Sequence, residues 1–256
     1  MVHAIFRFYD GLNDFLARAR RGAEFGTPCA RDATTKHMIE ALGVPHTEVE
    51  LILVNGASSG LERILEEGDR VAVYPRFARI DVAPLARLLQ QPPGRLRFVA
   101  DAHLGGLARL LRMAGFDTIY RNTIGDGEIE TLAMDEGRIV LTRDRELLKR
   151  RGVDFGCYVR ALHAQEQLHE VVDRYRLAER ARPFTLCLHC NAPLRRVAKA
   201  TVLDRLPPSV RAAQGVFTAC DCCGRVFWKG SHWKRMAAML DAAMDDDQLL
   251  APEEDN

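Results

Sequence analysis

Hydrophobic and polar residues change period several times along this 256-residue chain, and each change marks an element. Ala4-Ile5-Phe6-Arg7-Phe8-Tyr9 alternates with period two, as a half-buried strand does. Residues 35–43 put Met38, Ile39 and Leu42 on one helical face, with Gly43 as the stop. Two strands follow, Glu48–Asn55 and Arg70–Tyr74, with Asn55-Gly56 and Gly68-Asp69 as turn signals. A strand, a helix and further strands in so short a span predict a β-grasp roll over residues 1–90. The run Gln90-Gln91-Pro92-Pro93-Gly94 ends it, because it can neither continue a helix nor join a central strand.

Beyond that boundary the period lengthens. Leu96–Ala100 is a short apolar run ending in Asp101. Leu104, Leu107, Ala108 and Leu111 then recur at helical spacing up to Gly115. Asp117–Tyr120 reads as a short strand. Ile129, Leu132 and Ala133 mark a helix stopped by Gly137. Ile139-Val140-Leu141 is a buried strand that runs into Thr142-Arg143-Asp144, and a short basic helix follows. Cys157-Tyr158-Val159 is the next strand, and Leu168, Val171, Val172 and Tyr175 share the face of a closing helix. Strands alternating with helices predict an α/β domain with a parallel sheet over residues 95–182. From Phe184 the helical period fades and cysteines appear, which sets residues 183–240 apart. Residues 241–256 read as an acidic tail.

A hydrophobic fraction of 47% and a charged fraction of 28% are those of a soluble globular protein. No run of about 18 apolar residues exists, so no membrane span is expected. The N-terminus has no basic start followed by an apolar stretch, so it does not read as a signal peptide. A cytoplasmic location is the expectation, and it favours metal binding over disulfides for clustered cysteines. The net charge of +1 conceals an asymmetry. Residues 181–240 hold ten Lys and Arg against two Asp and Glu, while the last 16 residues hold seven acidic and no basic side chains. A segment that basic points to a phosphate-bearing partner, a nucleic acid. The competing reading is a solvated surface with the tail as its counter-charge.

Cys187-Leu-His-Cys190 and Cys220-Asp-Cys-Cys223 are two C-x-x-C pairs separated by 29 residues. Each such turn can bring two thiolates to about 2.3 Å from one ion, and two facing turns complete a tetrahedral zinc site. Asn191 and Gly224 follow the pairs, and both residue types tolerate the left-handed conformation of a knuckle turn. A redox dithiol would leave the second pair unexplained. Four thiolates leave no open position, so the zinc holds structure. His189, His232 and Cys222 read as neighbours of the site, and Cys29 and Cys157 as plain buried thiols.

Asp101 and Asp144 each stand just after an apolar strand and just before a helix, which places both at the carboxyl ends of parallel strands. Asp126 opens onto the same edge, with Glu128 two residues on. Several carboxylates at one edge repel one another unless a cation sits among them, and oxygen ligands select Mg²⁺ or Mn²⁺. Such an ion activates water against a phosphodiester. The alternative is that each aspartate only caps its own helix. Arg143, Arg145 and Lys149 around Asp144 are candidate RNA-backbone contacts, Arg145 and Lys149 being four apart on one helical face. Trp228, Lys229 and His232 lie in the aromatic and basic stretch Phe227–Arg235, where rings can stack bases and cations can track phosphates. Packing of the small C-terminal element is the other use for those rings.

These residues resemble a known family. Phe98-Val-Ala-Asp101, Leu104–Arg112, Gly115-Phe-Asp-Thr118, Arg138–Arg145, the paired C-x-x-C motifs and Val226–His232 are similar to the Mut-seven C-terminal ribonuclease family, a branch of the PIN-like nucleases. Arg7-Phe-Tyr9, Leu12-Asn13, Gly43–His46 through Val54-Asn-Gly56, and Asp69–Pro75 resemble the ubiquitin-like domain fused ahead of that nuclease. The resemblance implies a PIN-like sheet at 95–182, a zinc ribbon completing it at 183–240, and acidic ligands for a catalytic Mg²⁺ or Mn²⁺. Asp101 and Asp144 are then the firmest ligands and Asp126 the next. The fourth acidic position has no clear counterpart, with Glu128 and Asp154 as candidates. Sulfur-carrier proteins share the ubiquitin-like fold but need a free terminal Gly-Gly, and here Tyr74-Pro75-Arg76-Phe77 runs on. The expectation is a metal-dependent ribonuclease. The alternatives are an RNA- or ribosome-binding module without activity, and an adaptor that holds a protein partner through its ubiquitin-like domain.

Overall fold

The structure is a computed structural model and describes residues 1–76, 94 and 96–244. The expected linker Gln90–Pro93 and the acidic tail beyond Met244 lie outside the described residues. In chain order the elements are β1 (Val2–Phe8), β2 (Phe25–Cys29), α1 (Thr35–Ala41), β3 (Val49–Val54), β4 (Ala57–Ser59), β5 (Arg70–Pro75) and β6 (Phe98–Ala100). Then come α2 (Gly105–Met113), β7 (Thr118–Ile119), α3 (Asp126–Glu136), β8 (Ile139–Thr142), α4 (Arg145–Leu148), β9 (Gly156–Tyr158) and α5 (Ala164–Tyr175). The last are β10 (Leu194–Val197), α6 (Pro208–Ala213), β11 (Phe217–Cys220), β12 (Val226–Trp228) and α7 (Ser231–Met244). The chain divides into two compact units, Met1–His103 with Thr123–Val159, and Leu104–Asn122 with Arg160–Asn256.

The first unit opens with the β-grasp roll. Its five-stranded sheet has the order β2-β1-β5-β3-β4, with β1 and β5 parallel and the other pairs antiparallel. The alternation along β1 works as expected: Ala4, Phe6 and Phe8 are buried and His3 and Arg7 exposed. The inward residues pack with Met38 and Ile39 of α1 and with Ile52, Val71 and Val73. Thr34 caps α1 by accepting from the His37 amide, and Gly43 follows it at φ +108°. Two strands, β2 and β4, carry no clear signal in the sequence. β2 contains Pro28, which the sheet tolerates because β2 is an edge strand.

The remainder of the first unit is built on parallel strands in the order β6-β8-β9, with Phe98 beside Ile139 and Val140 beside Gly156. Every residue of β6 and β8 is buried, as in a sheet covered on both faces. α3 ends on Gly137 in the left-handed conformation. The roll meets β9 through Glu48, a carboxylate only 3% exposed, which accepts a 2.8 Å hydrogen bond from the Tyr158 amide. The Phe15 ring lies edge-on to Tyr158, with centroids 5.1 Å apart.

In the second unit α2 and α5 pack together, burying Leu107, Ala108 and Leu111 of one helix and Leu168, Val171 and Val172 of the other. Gly106 allows the close approach, since a Cβ there would stand 2.8 Å from that of Ala164. The C-terminal element is a three-stranded antiparallel sheet, β10-β11-β12, over a small core of Val202, Leu206 and Phe217. Among the described residues, no helix is long and apolar enough to cross a membrane.

Candidate functional site

Cys187, Cys190, Cys220 and Cys223 converge, with all four sulfurs within 4.8 Å of one another. Cys190 and Cys220 are 3.4 Å apart and Cys187 and Cys223 3.6 Å. A tetrahedron with metal–sulfur bonds of about 2.3 Å has edges near 3.8 Å, so the cage fits zinc. The two knuckles are the same turn twice. Asn191 donates its amide to the Cys187 carbonyl and Gly224 to that of Cys220. Asn191 has φ +68° and Gly224 φ +72°, the left-handed values expected from their types. Burial pushes the Cys187 thiol up to about 12. The Arg225 amide and the neighbouring thiols pull Cys223 down to about 7. Cys222 is exposed and outside the cage, and Cys29 and Cys157 are buried.

The cage is bolted to the α2–β7 segment by two residues whose roles the sequence does not show. Arg112, 5% exposed, donates to the carbonyls of Thr118, Leu188 and His189, the last two inside the first knuckle. Desolvation lowers its pKa, opposed by the nearby cysteines and Asp117. Asn191 accepts from the Thr118 amide and donates to Asp117. Arg112→Ala strands three carbonyls, that of Thr118 buried and those of Leu188 and His189 partly so, and is expected to cost about 3 kcal/mol. Thermal denaturation should show the midpoint falling by on the order of 10 °C. An unchanged midpoint would remove Arg112 from this role.

The acidic edge is held differently. Asp101 and Asp144 stand beyond the carboxyl ends of adjacent strands β6 and β8 and share one hydroxyl. Thr142 Oγ1 donates to Asp101 Oδ2 at 2.7 Å and accepts from the Asp144 amide at 2.9 Å. Thr142 is fully buried at the end of β8. Asp101 Oδ1 also accepts from the Ala102 amide at 2.5 Å. Asp144 is the N-cap of α4, its Oδ1 accepting from the Glu146 amide at 2.8 Å. Asp126 is not a cap: Gly125 takes that position and Asp126 sits in the first turn of α3, with Oδ2 3.0 Å from Arg150. Glu128, in the same turn, and Asp154 are exposed. Among the described residues, only the four cysteines form a converging group of three or more metal-type side chains, so no three of the carboxylates close on a common point here.

The basic candidates have local partners. Arg145 donates to the Phe15 carbonyl at 3.2 Å, and Lys149 pairs with Glu146 at 2.8 Å. α4 is only four residues long, with Lys149 as its C-cap. Arg143 is half-buried. In the second unit Trp228 packs on the Val202–Leu206–Phe217 core, while Lys229 and His232 are exposed. The Lys229 ammonium lies 4.8 Å from the centre of the Trp233 ring.

Comparison with known proteins returns two family models, the Mut7-C RNAse domain over residues 96–240 and Mut7-C ubiquitin over residues 1–81. No curated protein matches the chain. Two solved structures of the small archaeal modifier protein 1 of Haloferax volcanii are similar to part of it. One is 18% identical, covers 30% of this chain and 100% of its own, and has a TM-score of 0.25. The other is 18% identical over 29% of this chain and 96% of its own, with a TM-score of 0.24.

Proposed function

The chain belongs to the Mut7-C RNAse domain family, and from that premise we propose that it is a divalent-cation-dependent ribonuclease with a structural zinc ribbon. The observation that carries the reading is the sharing of Thr142 by Asp101 and Asp144 at the ends of neighbouring parallel strands. Open α/β sheets bind their ligands at that edge. Mg²⁺ commonly uses one or two carboxylates and completes its shell with water and phosphate oxygens, so this pair suits it or Mn²⁺ without an all-protein cage. Bound there, the ion would supply an activated water and charge stabilisation for a phosphodiester.

The protein's own part is to orient and to hold charge. The Thr142 hydroxyl, fixed by accepting the Asp144 amide, aims its proton at Asp101 and so sets that carboxylate's angle. Asp126 is proposed as a third ligand after exchanging its Arg150 partner, with Glu128 beside it in the chain. Arg143, Arg145 and Lys149 are proposed RNA-backbone contacts next to Asp144, and Trp228, Lys229 and His232 contacts on the ribbon. We assign residues 1–90 to the ubiquitin-like domain, 95–182 to the nuclease, 183–240 to its ribbon and 241–256 to a tail. We place the protein in the cytoplasm, with the ubiquitin-like domain open to a protein partner.

The cap made by Asp144 and the Asp126–Arg150 ion pair favour a second reading, an RNA- or ribosome-binding module without activity. Cleavage of single-stranded and structured RNA with added Mn²⁺ separates the two. The first reading expects cleavage that Asp144→Asn abolishes; the second expects binding with no cleavage.

A further inference from the structure

We infer that the groove between the ribbon and the start of α7 is a stacking slot for an unpaired base of single-stranded RNA. The inference rests on the RNA reading above and adds a substrate preference to it. The groove has a volume of about 540 Å³ and is bordered by Phe184, Leu188, Phe227, Trp228, Lys229 and Trp233 among others. Two of its rings are in contact, Phe184 and Trp233, with centroids 4.8 Å apart and planes tilted by 37°.

Charge selects the occupant. The groove is apolar, yet it lies within residues 181–240, which hold ten basic and two acidic side chains. Lys229, among its lining residues, is exposed. An apolar peptide would fill the slot and leave that cation unanswered. A nucleotide brings a flat apolar face and an anion together, which is the combination that aromatic and basic surfaces bind. Lys229 makes the exchange cheap. Its ammonium lies over the Trp233 ring on an exposed side chain, and an exposed cation–π contact is weak. A base stacking on the indole displaces that ammonium, which then turns to the phosphate. Duplex RNA hides its base faces and gains only the electrostatic part.

Trp228 and Trp233 are the chain's two tryptophans, and both border the groove, so their fluorescence reports on it directly. The test titrates the zinc-loaded full chain, without added Mg²⁺ or Mn²⁺, with a short oligoadenylate, the same strand in duplex, and an abasic strand. The single strand is expected to quench the fluorescence and to bind roughly tenfold more tightly than the other two. Trp233→Leu should lose about that factor and Trp233→Phe regain most of it. Lys229→Met, at an exposed position, should flatten the salt dependence by about 0.7 in log–log slope. Equal affinity for all three nucleic acids with no quenching, or unchanged affinity in Trp233→Leu, overturns the inference. Quenching by an apolar acidic peptide and none by oligoadenylate overturns it too. Because no cleavage is involved, a slot that binds in a protein that does not cut removes only the nuclease reading. Cutting by a protein that shows no quenching removes only the slot.

Discussion

Replacing Cys220 with serine is expected to empty the cage of zinc and unfold residues 186–228, while Cys222→Ser, two residues away, changes neither. Apparent binding free energies for structural zinc in small domains reach about 10–16 kcal/mol at pH 7. The ribbon has little to set against that loss. Its own cluster of buried side chains is Val202, Leu206 and Phe217, too small a core for a segment of about forty residues to fold unaided. Cys222 is exposed and its sulfur is not among the four that converge. Metal analysis should find one zinc per chain in the native protein and in Cys222→Ser, and well under one in Cys220→Ser. Limited proteolysis should then cut within the ribbon. Acid should act in the same direction. Zinc binding displaces thiol protons, and burial holds the Cys187 thiol at about 12 without metal, so the metal-bound form is favoured as pH rises and loses zinc as it falls. Full zinc in Cys220→Ser would refute the four-thiolate assignment.

The second large effect separates capping from catalysis at Asp144. Asparagine caps helices about as well as aspartate, so Asp144→Asn should keep α4 and leave the melting temperature nearly unchanged. It removes the negative charge that would hold a hard cation. If the ion contributes several kcal/mol to the transition state, RNA cleavage falls about a thousandfold or more. Asp101→Asn should lose activity similarly but also stability. Both Asp101 oxygens accept, one from the Ala102 amide and one from Thr142, and an amide offers only one acceptor. An –NH₂ facing one of those donors costs about 1–2 kcal/mol. The pair therefore predicts a split: Asp144→Asn inactive at native stability, Asp101→Asn inactive and less stable. Activity that survives Asp144→Asn would leave that carboxylate with its cap alone.

How much of this could be read from the chain followed the range of each interaction. The knuckles were legible because both thiols of a pair and the left-handed residue after them lie within five positions, at Cys187–Asn191 and Cys220–Gly224. β1 and the buried strand β8 were legible from period and burial, and Gly43 and Gly137 marked helix ends as expected. The partners that fix the sites were not, because they come from far along the chain. Arg145 bonds to Phe15 across 130 positions, Arg112 to the knuckle carbonyls across 76 and 77, and Asp126 to Arg150 across 24. Thr142 had a faint signal, a hydroxyl ending an otherwise apolar strand whose residues are all buried, where a polar atom needs a partner. Asp126 failed as a cap because Gly125, extended at φ −96° and ψ 159°, precedes it and takes the role. β10, β11 and β12 are short and held by the cage and by Phe217 more than by alternation, so no period announced them.

Titration of the zinc-loaded chain with Mn²⁺, followed by the loss of the free ion's electron paramagnetic resonance signal, reaches the acidic edge without any choice of RNA. One Mn²⁺ should bind per chain, weaken at least tenfold in both Asp101→Asn and Asp144→Asn, and leave the zinc in place. A chain that takes up no Mn²⁺, or takes it up equally well without those two carboxylates, would show that they serve only to close their turns.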